Sequence, residues 1–171
     1  VKGMADEGHP YTGFLYAGLM IDESGTPKVI EYNCRFGDPE TQPIMMRMQS
    51  DLVDLCFTAL AGELDKAIIE FDPRPAVGIV LAAAGYPASY PKGDVITGIP
   101  ATTDTTKTFH AGTKEVNGDV VTNGGRVLCA TAMGDTVTSA QQAAYQLVEQ
   151  IKWQGVEYRT DIAFRAIQRE S

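Results

Sequence analysis

A carboxylate, an amide and a guanidinium stand at alternate positions in the run Val29-Ile30-Glu31-Tyr32-Asn33-Cys34-Arg35. The run reads as a β-strand, on which side chains two residues apart share a face at roughly 6.6 Å. Glu31, Asn33 and Arg35 then project together, and Ile30, Tyr32 and Cys34 take the opposite face. Glu and Asn offer hard oxygen ligands without sulfur or imidazole. That suits Mg²⁺, which is commonly held by few protein atoms and completed by water and phosphate oxygens. An arginine beside them suits bidentate recognition of phosphate or carboxylate. The set describes phosphoryl transfer, where catalysis is mostly positioning and charge neutralisation. The same row is also what a solvated face of an edge strand looks like, and spacing alone leaves both readings open.

The elements that must hold this row follow from the flanking sequence. Tyr11 to Ile21 reads as a strand, Asp22-Glu23-Ser24-Gly25-Thr26-Pro27 as a turn cluster, and Lys28 to Cys34 as the returning strand. The register of such a hairpin is set by its turn and by a buried opposite face. Gly37-Asp38-Pro39-Glu40-Thr41-Gln42 ends the strand: Pro39 lacks a donor, and Gly37 is expected to supply a turn conformation. From Pro43 to Leu60 the apolar positions Ile44, Met48, Leu52, Leu55, Cys56 and Ala59 recur at helical spacing, which predicts one helix. Pro43 suits its first turn and Gly62 its C-terminal cap. Its N-terminus would face the Gly37–Gln42 loop, a favourable place for an anion. Val1 to Pro10 reads as a loop or frayed end, with His9 a solvated loop histidine.

Phe14-Leu15-Tyr16-Ala17-Gly18-Leu19-Met20, then Glu31-Tyr32-Asn33-Cys34-Arg35-Phe36-Gly37-Asp38-Pro39-Glu40-Thr41-Gln42-Pro43, resembles the end of the ATP-grasp domain of the glycinamide ribonucleotide synthetases, also called phosphoribosylamine–glycine ligases. The similarity continues through Ser50-Asp51-Leu52, Gly85-Tyr86-Pro87, Gly93-Asp94-Val95-Ile96, His110-Ala111-Gly112-Thr113 and Thr122-Asn123-Gly124-Gly125-Arg126-Val127-Leu128. It spans essentially the whole chain but only the carboxy-terminal portion of that family. The resemblance implies an ATP-dependent ligase of purine biosynthesis that joins glycine to 5-phosphoribosylamine through a glycyl phosphate. Glu31 and Asn33 match the metal-ligand positions for Mg²⁺ or Mn²⁺, and Arg35 the position that steadies the transferred phosphoryl group. Asp38, Glu40 and Thr41 match a loop facing the amine-bearing substrates. Arg126 is a further substrate-binding candidate, because Gly124-Gly125 lets backbone approach a ligand and presents a guanidinium beside it; a hairpin turn followed by a surface arginine is the plainer reading. The family's glycine-rich nucleotide loop and its lysines lie outside these residues. The 171 residues by themselves are therefore expected to be inactive, and the longer polypeptide is expected to be a monomer.

The implied organisation is α+β. Residues 1–62 would finish the ATP-grasp domain as a hairpin plus helix, and residues 63–171 would form a small antiparallel-sheet domain with a covering helix, after a joint containing Phe71-Asp72-Pro73-Arg74-Pro75. Strands are expected at Ala76 to Ala84, Asp94 to Ile99, Thr108 to Lys114, Asp119 to Thr122 and Arg126 to Met133. Asn117-Gly118 signals a tight turn. Thr138 to Ile151 reads as a helix with Ala140, Ala144, Leu147 and Ile151 on one face, capped by Thr138 or Ser139, and Thr160 to Gln168 as a short terminal helix. His110 and Trp153 read as structural.

Composition narrows the partners. A net charge of −8 argues against nucleic acid and against anionic membrane surfaces. No apolar run approaches the roughly 20 residues of a bilayer span. Three scattered cysteines, Cys34, Cys56 and Cys129, fit free thiols, at least half-buried, in a reducing cytoplasm. Val1 is not an initiator, so sequence upstream is expected. Two other classes remain: a different ATP-grasp ligase or carboxylase, and a non-enzymatic β-rich module in which the Glu/Asn/Arg row is merely solvated.

Overall fold

The structure, a computed structural model, describes residues 1–170. It is a mixed α and β protein with small antiparallel sheets, divided into two compact units. Residues 1–41 and 48–71 form one; residues 42–47 and 72 onward form the other.

In the first unit a short helix α1 (Lys2–Asp6) precedes the hairpin of β1 (Tyr16–Ile21) and β2 (Pro27–Asn33). The helix stands where the sequence predicts a loop or frayed end. Strand β1 is shorter than predicted and starts only at Tyr16. The turn is tied by Asp22, whose Oδ1 accepts from the Ser24 hydroxyl (2.6 Å), Ser24 N–H (3.0 Å) and Thr26 N–H (3.0 Å). These bonds, the Ser24 hydroxyl foremost, hold the Asp22 carboxyl below its ordinary value. The face of β2 opposite Glu31 and Asn33 is open among the described residues: Ile30 is 64% and Tyr32 61% exposed. The buried opposite face expected to fix the register is therefore not supplied here, and Asp22 with the ladder bonds does that work.

The single helix predicted from Pro43 to Leu60 is two. Helix α2 spans Thr41–Arg47 and α3 spans Leu52–Leu60. Between them Met48 bridges to Phe71, and Asp51 caps α3 by accepting from Val53 N–H (2.7 Å) and Asp54 N–H (3.3 Å). Periodicity ran through the break because Met48 and Leu52 keep the spacing. A carboxylate satisfying two orphan amides starts a new helix all the same. The far end of α3 is as predicted. Gly62 (φ 72°) donates to Ala59 O and Glu63 to Thr58 O, the paired bonds of a left-handed C-terminal cap.

The second unit holds the core. Strands β3 (Ala76–Ala82), β4 (Thr106–His110) and β7 (Arg126–Met133) form an antiparallel sheet in the order β3-β7-β4. Helix α4 (Val137–Gln150) packs Ala140, Ala144, Leu147 and Val148 against β3 and β7, and Ile79, Leu81, Val127 and Leu128 are fully enclosed. Trp153 is buried in the same cluster, as its structural reading requires. Thr136, not Thr138 or Ser139, is the N-cap: its hydroxyl accepts from Ser139 N–H, and the Ser139 hydroxyl accepts from Thr136 N–H. The predicted strand from Thr108 to Lys114 breaks at Ala111-Gly112 into β4 and β5 (Thr113–Val116). A Cβ on Gly112 would stand 2.6 Å from Gly124 Cα, so backbone crosses backbone there. Strand β6 (Asp119–Thr122) returns from β5 through Asn117 (φ 52°) and Gly118 (φ 88°), the turn the dipeptide predicts. Asp94 to Ile99 forms only single bridges, Val95 to Val121 and Thr97 to Lys152. Helix α5 (Phe164–Glu170) ends the described chain. Cys129 is buried and Cys56 intermediate, but Cys34 is exposed, contrary to expectation.

The joint is pinned electrostatically. Asp72 accepts from Arg74 Nε (2.9 Å), Arg74 Nη2 (2.7 Å) and Arg74 N–H (2.9 Å), and these bonds depress its carboxyl to about 2. A depressed carboxyl stabilises the fold above its unfolded value of about 4. That contribution is lost as pH falls from there toward about 2. Asp72→Asn is expected to lower the urea midpoint at pH 7, with the difference from the unsubstituted protein shrinking between pH 4 and pH 2; midpoints across that range check it.

Candidate active site

The ladder decides which side chains share a surface. Residues directly opposite in an antiparallel pair lie on the same face. Tyr16 pairs with Asn33, Ala17 with Tyr32 and Gly18 with Glu31. Glu31, Asn33 and Tyr16 therefore face one way, and Gly18 leaves room above the Glu31 stem. A Cβ on Gly18 would lie 3.1 Å from Glu31 Cγ. The register slips between Gly18 and Leu19, leaving Ile30 as the extra residue immediately before Glu31. Such bulges re-aim the side chains that follow them.

Arg35 lies beyond the end of β2, yet joins the row. Its Nη2 donates to Asn33 Oδ1 (3.4 Å) and its Nη1 to Phe36 O (2.9 Å). Phe36 packs on Phe14 with ring centroids 4.3 Å apart. The Asn33 Nδ2 atom is buried without a partner, and Glu31 is exposed. The donor set is one free carboxylate plus one amide oxygen with a second lone pair available. That fits a hard divalent cation carrying water and phosphate ligands. Among the described residues no three His, Cys, Asp or Glu side chains converge on one point.

The following loop is closed on Gly37, the one buried residue among those described in this unit. The Thr41 hydroxyl (2.6 Å) and Thr41 N–H (3.1 Å) both donate to Gly37 O. The Tyr16 hydroxyl donates to Glu40 Oε1 (3.3 Å), and the Glu40 carboxylate holds that hydroxyl above its ordinary value. Gly37 does not adopt a positive φ, so its expected conformational role is corrected: a Cβ there would collide with the Glu40 carboxylate and stand 2.7 Å from the Tyr16 ring. Glycine is needed for space. Asp38 is exposed on this loop, across a cis bond to Pro39. Glu31, Asn33, Arg35, Glu40 and Thr41 thus belong to one hairpin and its loop, with Tyr16, which sequence reasoning passed over, at their centre. No local period signals it, because its pairing with Asn33 is set by the hairpin register and the bulge.

Tyr32 and Cys34, with Met4, Tyr11 and Leu15, line a separate, mostly apolar groove of about 580 Å³ that Asn33 also borders. Arg126 belongs to the second unit, half-buried with its guanidinium 6.0 Å from the Tyr86 ring centroid. The glycines before it serve packing: Gly124 meets Gly112, and a Cβ on Gly125 would strike the Tyr86 ring. His110 is exposed, its Nδ1 3.0 Å from the Thr113 hydroxyl.

Residues 1–41 match the family model "Phosphoribosylglycinamide synthetase, ATP-grasp (A) domain", and residues 76–165 the model "Phosphoribosylglycinamide synthetase, C domain". The chain is 67% identical, over 171 residues, to a phosphoribosylamine–glycine ligase of Vibrio parahaemolyticus, covering 99% of this chain and 40% of that protein. The crystal structure of a Thermotoga maritima phosphoribosylamine–glycine ligase superposes with a TM-score of 0.81 at 40% identity, covering 94% of this chain and 39% of that one. A biotin carboxylase domain from Hydrogenobacter thermophilus 2-oxoglutarate carboxylase, solved with MgADP and bicarbonate, shares the fold at 18% identity and a TM-score of 0.62 over 92% of this chain and 35% of that one. The chain thus spans about two fifths of the length of the curated relatives it matches.

Gly37→Ala, made in the full-length polypeptide that carries this segment, is expected to cost about 1–3 kcal/mol, the usual penalty of overpacking a filled site. Urea midpoints at constant m-value measure it; an unchanged midpoint means Tyr16 and Glu40 part freely.

Proposed function

This chain belongs to the phosphoribosylglycinamide synthetase family, and from that premise we propose that it is the carboxy-terminal part of an enzyme joining glycine to 5-phosphoribosylamine at the expense of ATP. On this reading residues 1–62 complete an ATP-grasp domain and residues 63–171 form the small domain after it. The γ-phosphoryl group of ATP passes to the glycine carboxylate, giving a glycyl phosphate and ADP. The amine of phosphoribosylamine then attacks that carbonyl, loses a proton and displaces phosphate, giving glycinamide ribonucleotide.

The observation that carries the proposal is the common face of Glu31 and Asn33, opposite Gly18 and Tyr16. Those two residues would hold Mg²⁺ or Mn²⁺, which when bound offsets the repulsion between triphosphate and carboxylate. A biotin carboxylase domain of the same fold was solved with MgADP, which supports Mg²⁺ and a nucleotide as the ligands. Arg35, whose guanidinium reaches Asn33, would supply fixed positive charge to the transferred phosphoryl group. The Gly37–Thr41 loop, with Asp38, Glu40 and Thr41, would meet the amine-bearing substrates. Arg126 remains a further substrate-binding candidate on this reading. Among the described residues no helix is long and apolar enough to cross a membrane. On this reading the enzyme is cytoplasmic.

In the full-length polypeptide, Glu31→Gln is expected to raise the Mg²⁺ needed for half-maximal rate at least tenfold, about 1.4 kcal/mol of metal binding, and to lower turnover severely. Mg²⁺ titration of the initial rate checks it, and an unchanged profile removes Glu31 from the metal shell. The isolated 171 residues are expected to show no glycine-dependent ADP release; turnover above background would mean that this segment holds ATP unaided.

A further inference from the structure

Building on the proposed ligase reading, we propose that Tyr16 is a positioning residue: its hydroxyl holds the Glu40 carboxylate over Gly37, beside the face bearing Glu31 and Asn33, where it receives the ammonium group of glycine. Three observations converge on this one side chain. Tyr16 stands directly opposite Asn33 in the ladder, so its ring rises from the same face as both candidate metal ligands. Its hydroxyl lies 3.3 Å from Glu40 Oε1, a contact across 24 residues of sequence that ties the first strand to the substrate loop. Gly37 has been left without a side chain in the space that the Tyr16 ring and the Glu40 carboxylate fill together.

The chemistry of this corner is selective. Glu40 is exposed, and a free glutamate of that kind samples many rotamers, at an ordering cost when it must meet a ligand. A donated hydrogen bond removes much of that cost in advance. A fixed carboxylate beside a metal-bearing face attracts a cation and repels phosphate. Of the substrates in the proposed reaction, glycine carries an ammonium next to the carboxylate to be phosphorylated. The other amine-bearing substrate carries a phosphate. Glycine is thus the ligand this arrangement favours.

The test is steady-state kinetics on the full-length polypeptide with glycine, ATP and Mg²⁺ varied in turn. Tyr16→Phe keeps the ring and removes only the donor. It is expected to raise the KM for glycine about tenfold, the lower end of what a hydrogen bond to a charged acceptor contributes. The KM for ATP and the Mg²⁺ requirement are expected to move by less than about twofold. Glu40→Gln is expected to raise the glycine KM by itself, and adding Tyr16→Phe to it should change little further, because the two act as one unit. An unchanged glycine KM in either single variant overturns the inference, as do effects that multiply in the double variant. A parallel rise in all three parameters with a lowered unfolding midpoint shows a merely structural tyrosine and overturns it too. If unsubstituted protein shows no glycine-dependent turnover, or Glu31→Gln leaves the Mg²⁺ profile unmoved, it is the ligase reading that has failed.

Discussion

The pairing of Tyr16 with Asn33 and of Gly18 with Glu31 is the constraint on which the candidate site rests. A slip of one residue would turn Glu31 and Asn33 to the opposite face and bring Tyr32 and Cys34 into their place. No buried apolar face guards against that slip within these residues, since Ile30 and Tyr32 are both largely exposed. The register is held instead by polar devices: the Asp22 turn at one end, the Tyr16 to Glu40 contact at the other, and the bulge at Ile30 between them.

The two units are built on different physics. The second is organised by apolar burial, with a three-stranded sheet covered by α4 and a core running from Val77 to Trp153. Three of its glycines serve packing: Gly112 meets Gly124, and Gly125 leaves room for the Tyr86 ring. The first unit has almost no interior in these residues and is organised by hydrogen bonds to Gly37, Asp22 and Asp51. Such a unit has free polar groups to offer a ligand. The orphaned Asn33 Nδ2 and the uncommitted Glu31 are two of them.

Most of the fold was legible where one local rule acted without competition. Asn117-Gly118 requires positive φ at two residues and takes it. The apolar run of β7 and the face of α4 are as periodicity predicts. The misses came where two local rules pointed different ways. Helical spacing across Met48 and Leu52 concealed the Asp51 cap, and the choice between Thr138 and Ser139 missed the cap at Thr136, where Ser139 serves instead as the capping-box partner. Gly37 was recognised as special for the wrong reason, since conformational freedom and lack of volume look alike in sequence.

Alternation alone placed Glu31, Asn33 and Arg35 in one row, and the long ordered motif around them pointed to the family, because both are properties of residue order. Which groups complete that row was decided by tertiary structure. Tyr16 and Glu40 are 24 residues apart, and no local period links them. They meet because a strand, a bulge and a tight loop fold back over a glycine that leaves them the space.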